Sequence, residues 1–362
     1  MRNAELTQSV GRRYFLLPTA YCLLLILILT LTGLFDKIIH IIIHQSFVCL
    51  DRLNNLDKNI PLHDITNMTD SAASVINAET FESAGLFALQ QSKTDLVNPS
   101  LIITTYNWPQ ALRLSVKSVW NQTILPREII IADDGSTIDT RETIDQLRKR
   151  SPIPITHVWQ PDEGFQLSKI RNRGIAAALS EYIICIDGDC ILEPHFIEDH
   201  IYHSQVGRGV FGSRVKLVPS ASAKYLASES FNKPFFLSPK IRFGYNLKAL
   251  RNRWLCNRTI VEIANSQPKV KIYGSNMAFW KSDAIRINGF DEDYTSYGWE
   301  DLDFGLRMRR AGVPIKFIQH AALQYHLYHQ TRTNDNNETK NLFQKCVEQN
   351  RIRVEKGLDQ YL

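Results

Sequence analysis

Between residues 98 and 190 short apolar runs alternate with longer stretches whose apolar positions recur every three or four residues. The runs at 101–105, 128–132, 153–159 and 182–186 are largely apolar at consecutive positions, as strands buried on both faces require. Helical stretches at 109–120, 139–149 and 166–179 separate them. Strand and helix in strict turn predict the α/β class, a parallel sheet with helices on both sides. Ligands of such sheets lie beyond the carboxyl ends of the strands. That rule selects residues 105–107, 133–135 and 187–189 before any chemistry is considered. From 206 to 328 the period is lost, aromatic residues are frequent, and an irregular region packed on the sheet is expected. One further helix is expected there, running through Arg310 and ending at Gly312 with Pro314 beyond it.

The amino-terminal part follows a different pattern. Residues 14–35 carry no charge and are rich in Leu and Ile. As a helix they would reach roughly 33 Å, enough for a bilayer core of about 30 Å. The run is long for a signal peptide and no Ala-x-Ala-like site follows it. A single membrane anchor is therefore expected within 14–43, behind a tail at 1–13. Arg12 and Arg13 abut it and favour a cytoplasmic N-terminus. Residues 44–96 are polar without sustained period and predict a linker, with one short helix near 81–90.

Composition narrows the function. At 362 residues the chain has room for about two domains. A hydrophobic share of 44% with 22% charged residues excludes a disordered or multi-span protein. The net charge of +5 is spread without long runs, so nucleic acid is not an expected partner, whereas a polyanionic ligand or an acidic membrane surface suits it. Six scattered cysteines without a Cys-x-x-Cys pair exclude a zinc ribbon. No Gly-x-Gly-x-x-Gly opens the first helix, and no P-loop is present.

Four segments carry chemistry. Asp187-Gly188-Asp189 follows an apolar strand, and two carboxylates there can turn towards one hard cation, Mg²⁺ or Mn²⁺; the alternative is an acidic turn. Asp133-Asp134-Gly135-Ser136 ends another strand and offers acceptors for a base or ribose, or ordinary turn chemistry. Trp299-Glu300-Asp301 opens a helix. Its acids either cap the dipole or hold a general base, with Trp299 as a platform for a sugar ring. Tyr325-His326-Leu327-Tyr328-His329 offers an imidazole to a metal, either His326 or His329.

Taken together, these segments resemble the inverting family 2 glycosyltransferases of the GT-A fold. The second half is similar to the galactosyltransferase and chondroitin-polymerase type. The resemblance runs over about 98–330. It rests on Ile102-Ile-Thr-Thr-Tyr-Asn107, Ile131-Ala-Asp-Asp-Gly-Ser136, Asp187-Gly-Asp189, Gly274-Ser-Asn276, Asn288-Gly-Phe-Asp291 and Gly298-Trp-Glu-Asp301, in that order.

The resemblance implies a nucleotide-sugar-binding half at 97–205, an acceptor-binding half at 206–330 and a C-terminal tail at 331–362. A uridine-linked donor would be met by Thr105, Asn107, Asp133, Asp134, Arg171, Asp187 and Gly274. Asp189, Asp187 and His326 would ligate Mn²⁺ or Mg²⁺. Glu300 and Trp299 would hold a glycan or glycolipid acceptor, and Asp301 would be the base. Inversion needs no enzyme nucleophile. The Gln-x-x-Arg-Trp motif of processive synthases is missing, since Leu250-Arg-Asn-Arg-Trp254 has Leu for Gln and precedes the acidic motif. With one span, the expected location is a bacterial inner membrane with a cytoplasmic catalytic domain, or a type II protein of the Golgi. A silent glycan-binding scaffold and a nucleotidyltransferase are the alternatives.

Overall fold

The computed structural model describes residues 97–234, 238–263, 272–330 and 337–362. The expected anchor, linker and short helix near 81–90 lie outside the described residues. Among the described residues no helix is long and apolar enough to cross a membrane.

The first half forms as its pattern dictates. Strands β1 (Ser100–Thr105), β2 (Glu128–Asp133), β3 (Ile155–Trp159) and β4 (Tyr182–Asp187) alternate with helices α1 (Pro109–Trp120), α2 (Ile138–Arg150) and α3 (Leu167–Ala177). Pro109 starts α1, where a missing N–H costs nothing. The four strands run parallel in the order β3-β2-β1-β4. Leu101, Ile103, Ile129 and Ile131 pack with Leu112, Val116, Ile144 and Leu147 on one face. Ile102, Ile130 and Ala132 pack with Ile170 and Ile175 on the other. Consecutive apolar residues are therefore used on alternate faces, and helices cover both.

The second half extends this sheet instead of forming a separate layer. β6 (Gly209–Gly212), β8 (Val261–Ile263), β9 (Asn276–Trp280) and β10 (Ile315–Ile318) complete the order β3-β2-β1-β4-β9-β6-β10-β8. β9 is antiparallel to β4 and to β6, so the expected parallel sheet is in fact mixed. The expected irregularity reflects short strands joined by long connections. A second sheet joins β5 (Cys190–Leu192), β11 (Gln324–His326) and β7 (Val215–Lys216) in the order β5-β11-β7. Between these strands come α4 (Phe196–His203), α5 (Pro219–Ser228), α6 (Arg253–Thr259), α7 (Lys281–Ile287) and α8 (Glu300–Arg310).

Residues 337–362, expected only as a tail, pack on this half. Helix α9 (Asn337–Glu348) lies against α8, with Arg310 donating to the carbonyls of Cys346, Val347 and Arg351. Arg251 and Arg253 belong to the fold as well. Both bond the buried Asp199 of α4, which also accepts the Ala322 N–H. The four described cysteines, Cys185, Cys190, Cys256 and Cys346, are free and buried.

Asn172 of α3 locks the two halves together, accepting from Phe290 N–H at 2.8 Å and donating to the Phe290 carbonyl at 2.8 Å. Gly289 makes this approach possible at φ +68°, and a Cβ there would fall on Asn172 Oδ1. Gly207 has a similar φ of +72° with open space around it. Gly207→Ala should therefore cost only the left-handed backbone penalty, about 1–2 kcal/mol. Gly289→Ala should lose roughly 1–3 kcal/mol more from overpacking. Thermal unfolding of both variants is the check; equal losses would show that the Asn172 contact contributes nothing.

Candidate active site

The carboxyl ends of β1, β2 and β4 open on a cavity of about 700 Å³. Gly188 lets the strand ends meet there. Its N–H bonds the Thr104 carbonyl at 2.7 Å, and a Cβ would lie 2.7 Å from that oxygen. Asp187 and Asp189 can consequently both reach the cavity, one before and one after the close approach. Thr104 Oγ1 donates to Asp187 Oδ1 at 3.2 Å.

The small sheet delivers the imidazoles. β11 pairs antiparallel with β5, setting His326 opposite Cys190, and the Leu327 N–H bonds the Asp189 carbonyl at 3.0 Å. Asp189 Oδ2 then lies 3.4 Å from His326 Nε2 and 3.2 Å from His329 Nε2. The three side chains offer ligand atoms within 4.8 Å of one another. Burial would raise the Asp189 pKa, but His326, His329 and Arg214 together hold it below its ordinary value. Burial lowers that of His326, favouring the neutral ring a metal requires, while the hydrogen bond to Asp189 raises that of His329. Sequence left His326 and His329 as alternatives; the structure brings both to Asp189.

Behind this wall lies Arg171, with only 2% of its side chain exposed. Its Nη2 donates to Asp187 Oδ1 at 3.3 Å and its Nη1 to Glu300 Oε1 at 3.2 Å. The guanidinium also sits over the Phe290 ring, 5.1 Å from its centroid. Burial opposes its charge, and Asp187 and Glu300 overcome that cost, raising its pKa. Gly274 is a glycine because a Cβ would come within 2.7 Å of Arg171 Nη2. The Gly274 N–H bonds Asp301 Oδ2 at 3.0 Å, and the Leu302 N–H bonds Oδ1 at 2.8 Å. Burial raises the Asp301 pKa, opposed by these N–H groups and by Arg171. Glu300 is more deeply set. Burial and the neighbouring Asp301 push it up to about 7 against the pull of Arg171. Asp303, by contrast, serves the fold through a fully buried pair with Arg307 at 2.6 Å.

The other expected residues fall into two groups. Thr105 and Asp134 line the cavity. Burial raises the Asp134 pKa although Gln166 N–H and Gln160 Nε2 bond its oxygens. Asp133 is committed inside, accepting from Ser136 N–H at 2.8 Å and contacting His157 Nε2 at 2.9 Å. Asn107 tethers the β1 turn to the β2 turn through Ser136 and Thr137. Arg171 and Gly274 contact acids: the guanidinium lies between the partly exposed Asp187 and the buried Glu300, and the Gly274 N–H bonds Asp301. Trp299 stands at φ +77° and packs on Phe343 of α9, ring centroids 5.2 Å apart. The aromatic that this segment gives the cavity wall is Tyr297.

Arg214, Lys216 and Arg242 were missed by the sequence reading. They line the cavity together with Asp187 and Asp189. Pairing of β7 with β11 sets Lys216 opposite His326, a long-range register that no local pattern announces. Cations facing acids across one cavity suit a ligand that is anionic and binds with a cation.

The chain is similar to several known proteins. The glycosyl transferase family 2 model matches residues 100–260, and the model of the N-terminal domain of galactosyltransferase matches 258–330. The chain is 30% identical over 252 residues to a chondroitin synthase of Escherichia coli, covering 66% of this chain and 36% of that enzyme. It is 27% identical to a hyaluronan synthase of Pasteurella multocida, covering 67% of this chain and 25% of that one. The chain thus spans about a third or less of these relatives' length. Among solved structures it is similar to a mannosyltransferase from Pyrobaculum calidifontis in complex with GDP-Man and Mn²⁺, with TM-score 0.44 and 15% identity, covering 64% of this chain and 57% of that one.

The raised Glu300 pKa has a measurable sign. Folded, the group titrates at about 7 against an ordinary value of 4.5, so the native state binds its proton more tightly. Its stabilising contribution is complete below about 4.5 and is lost as pH rises through 7. Glu300→Gln should flatten the decline in unfolding free energy between those limits. Parallel pH profiles of the variant and the parent would show that Glu300 titrates normally.

Proposed function

We propose that this chain, whose residues 100–260 match the glycosyl transferase family 2 model, is a glycosyltransferase that moves a sugar from a UDP-linked donor to a hydroxyl of a glycan acceptor with inversion. The observation that carries this reading is one connected row of side chains. It runs from Asp187, at the cavity wall beside Asp189, through Arg171 to Glu300, which lies behind that wall next to Asp301. The cavity is of a size that suits a nucleotide-sugar. The names of the relatives, chondroitin synthase and hyaluronan synthase, support an acceptor from surface or secreted polysaccharide. The uncharged stretch at 14–35 supports a single-pass membrane protein, in a bacterial inner membrane or as a type II protein of the Golgi.

One carboxylate and two convergent imidazoles fit a divalent cation, and the imidazoles favour Mn²⁺ over Mg²⁺. Asp189, His326 and His329 would hold it, with Asp187 adjacent. Bound there, the cation supplies Lewis-acid stabilisation to the departing diphosphate. Arg214 and Lys216 add positive charge on the same wall. As the sugar–phosphate bond breaks, the acceptor oxygen bonds the anomeric carbon from the opposite side, and its proton passes to Asp301. The Gly274 and Leu302 N–H groups aim that carboxylate and favour its ionised form against burial. Such a base contributes about 10²- to 10⁴-fold. Arg171 keeps Asp187 and Glu300 from repelling one another while donor and acceptor bind.

Asp301→Asn should therefore lower nucleoside-diphosphate release by roughly that 10²- to 10⁴-fold factor while sparing donor affinity. Asp189→Ala should weaken Mn²⁺-dependent donor binding, read by calorimetry. Wild-type turnover in Asp301→Asn would remove the base assignment, and unchanged binding in Asp189→Ala would remove the metal site.

A further inference from the structure

From Ser230 to Val261 the sequence holds no acidic residue but seven basic ones: Lys233, Lys240, Arg242, Lys248, Arg251, Arg253 and Arg258. Lys233, Arg251 and Arg253 are neutralised by Glu193, Glu198 and Asp199. The others have no carboxylate partner among the described residues. Lys240, Lys248 and Arg258 lie over the rings of Tyr225, Tyr245 and Trp254. Three of these four cations, Lys240, Arg242 and Lys248, belong to one loop. The base of that loop is fixed. Ile241 and Ala249 are buried in a cluster with Val215, Leu217 and Tyr325, and the Arg242 N–H bonds the Lys216 carbonyl at 2.8 Å. Its tip is apolar and outward: Phe243 is 97% exposed and Leu247 is 69% exposed.

A rigidly based loop that presents two bare apolar side chains among uncompensated cations has the make-up of an interfacial membrane contact. The apolar groups enter the acyl boundary and the cations meet anionic headgroups. Burial in the protein explains neither side chain, and an acid-free surface disfavours a basic partner. If the uncharged run at 14–35 is the anchor proposed above, it would tether the described residues to a membrane through residues 36–96. Arg242 and Lys216 also line the catalytic cavity.

We propose that the loop around Phe243 and Leu247 docks on an anionic membrane surface and holds the cavity mouth at the lipid–water boundary, where a membrane-borne glycan acceptor is presented. This goes beyond the transferase reading, and docking itself is tested without turnover.

The test uses the full chain in lipid nanodiscs with a benzoylphenylalanine photocrosslinker at position 243. A second protein carries it at position 179, since Leu179 is 65% exposed and precedes β4, whose opposite end faces the cavity. The expected result is a lipid adduct at 243 in discs containing phosphatidylglycerol, with little at 179, falling several-fold in phosphatidylcholine discs or in high salt. Replacing Lys240, Arg242 and Lys248 with Gln should cause the same loss. Equal lipid adducts at both positions, no adduct at 243, or crosslinking of 243 to a second copy of the chain would overturn the proposal.

Discussion

A single guanidinium holds the candidate site together. Arg171 is buried between Asp187, which ends the fourth strand of the first half, and Glu300, which opens a helix of the second. Without it, Asp187, Glu300 and Asp301 would be neighbouring carboxylates in poorly solvated surroundings, and mutual repulsion would drive protonation or separation. With it, the acids share a positive charge and stay close. The remaining local geometry accommodates this one side chain: a glycine at 274 makes room for it, and the Phe290 ring packs against its flat face.

A second constraint acts at the cavity wall. Asp189 cannot recruit imidazoles from its own strand, because β5 continues into a buried apolar run. The antiparallel partner β11 supplies them, and its register puts His326 opposite Cys190, so that His326 and His329 converge on one carboxylate oxygen. The two constraints divide the labour. The small sheet brings three potential ligand groups together, and the Arg171 bridge ties Glu300 to Asp187 at the cavity wall. Pairing of β4 with β9 joins the two halves in one sheet.

Much of this was legible in the residues. Uninterrupted apolar runs gave away the four parallel strands to within about two residues, because burial on both faces leaves little freedom in composition. The strand-end acids followed from topology alone. What could not be read is whatever depends on distant pairing: the antiparallel insertion of β9, the cations Arg214 and Lys216, the convergence of both His326 and His329 on Asp189, and the packing of 337–362 on α8. Local chemistry also misled in one instructive place. Trp299 has the type and position of a sugar platform, yet its left-handed backbone turns the ring onto Phe343 and leaves Tyr297 at the cavity. Asp133 and Asp134 looked interchangeable, and only the partners of each, His157 and Ser136 against Gln160 and Gln166, distinguish them.

The most direct test of the bridge is a thermodynamic cycle on unfolding free energy at neutral pH. Arg171→Met, the pair Asp187→Asn with Glu300→Gln, and the triple variant would be compared with the parent. If one charge holds both acids, removing Arg171 alone should be the most damaging change, and neutralising the two acids should recover part of the loss, a coupling of roughly 0.5–3 kcal/mol. Losses that simply add across the cycle would contradict a site organised around Arg171.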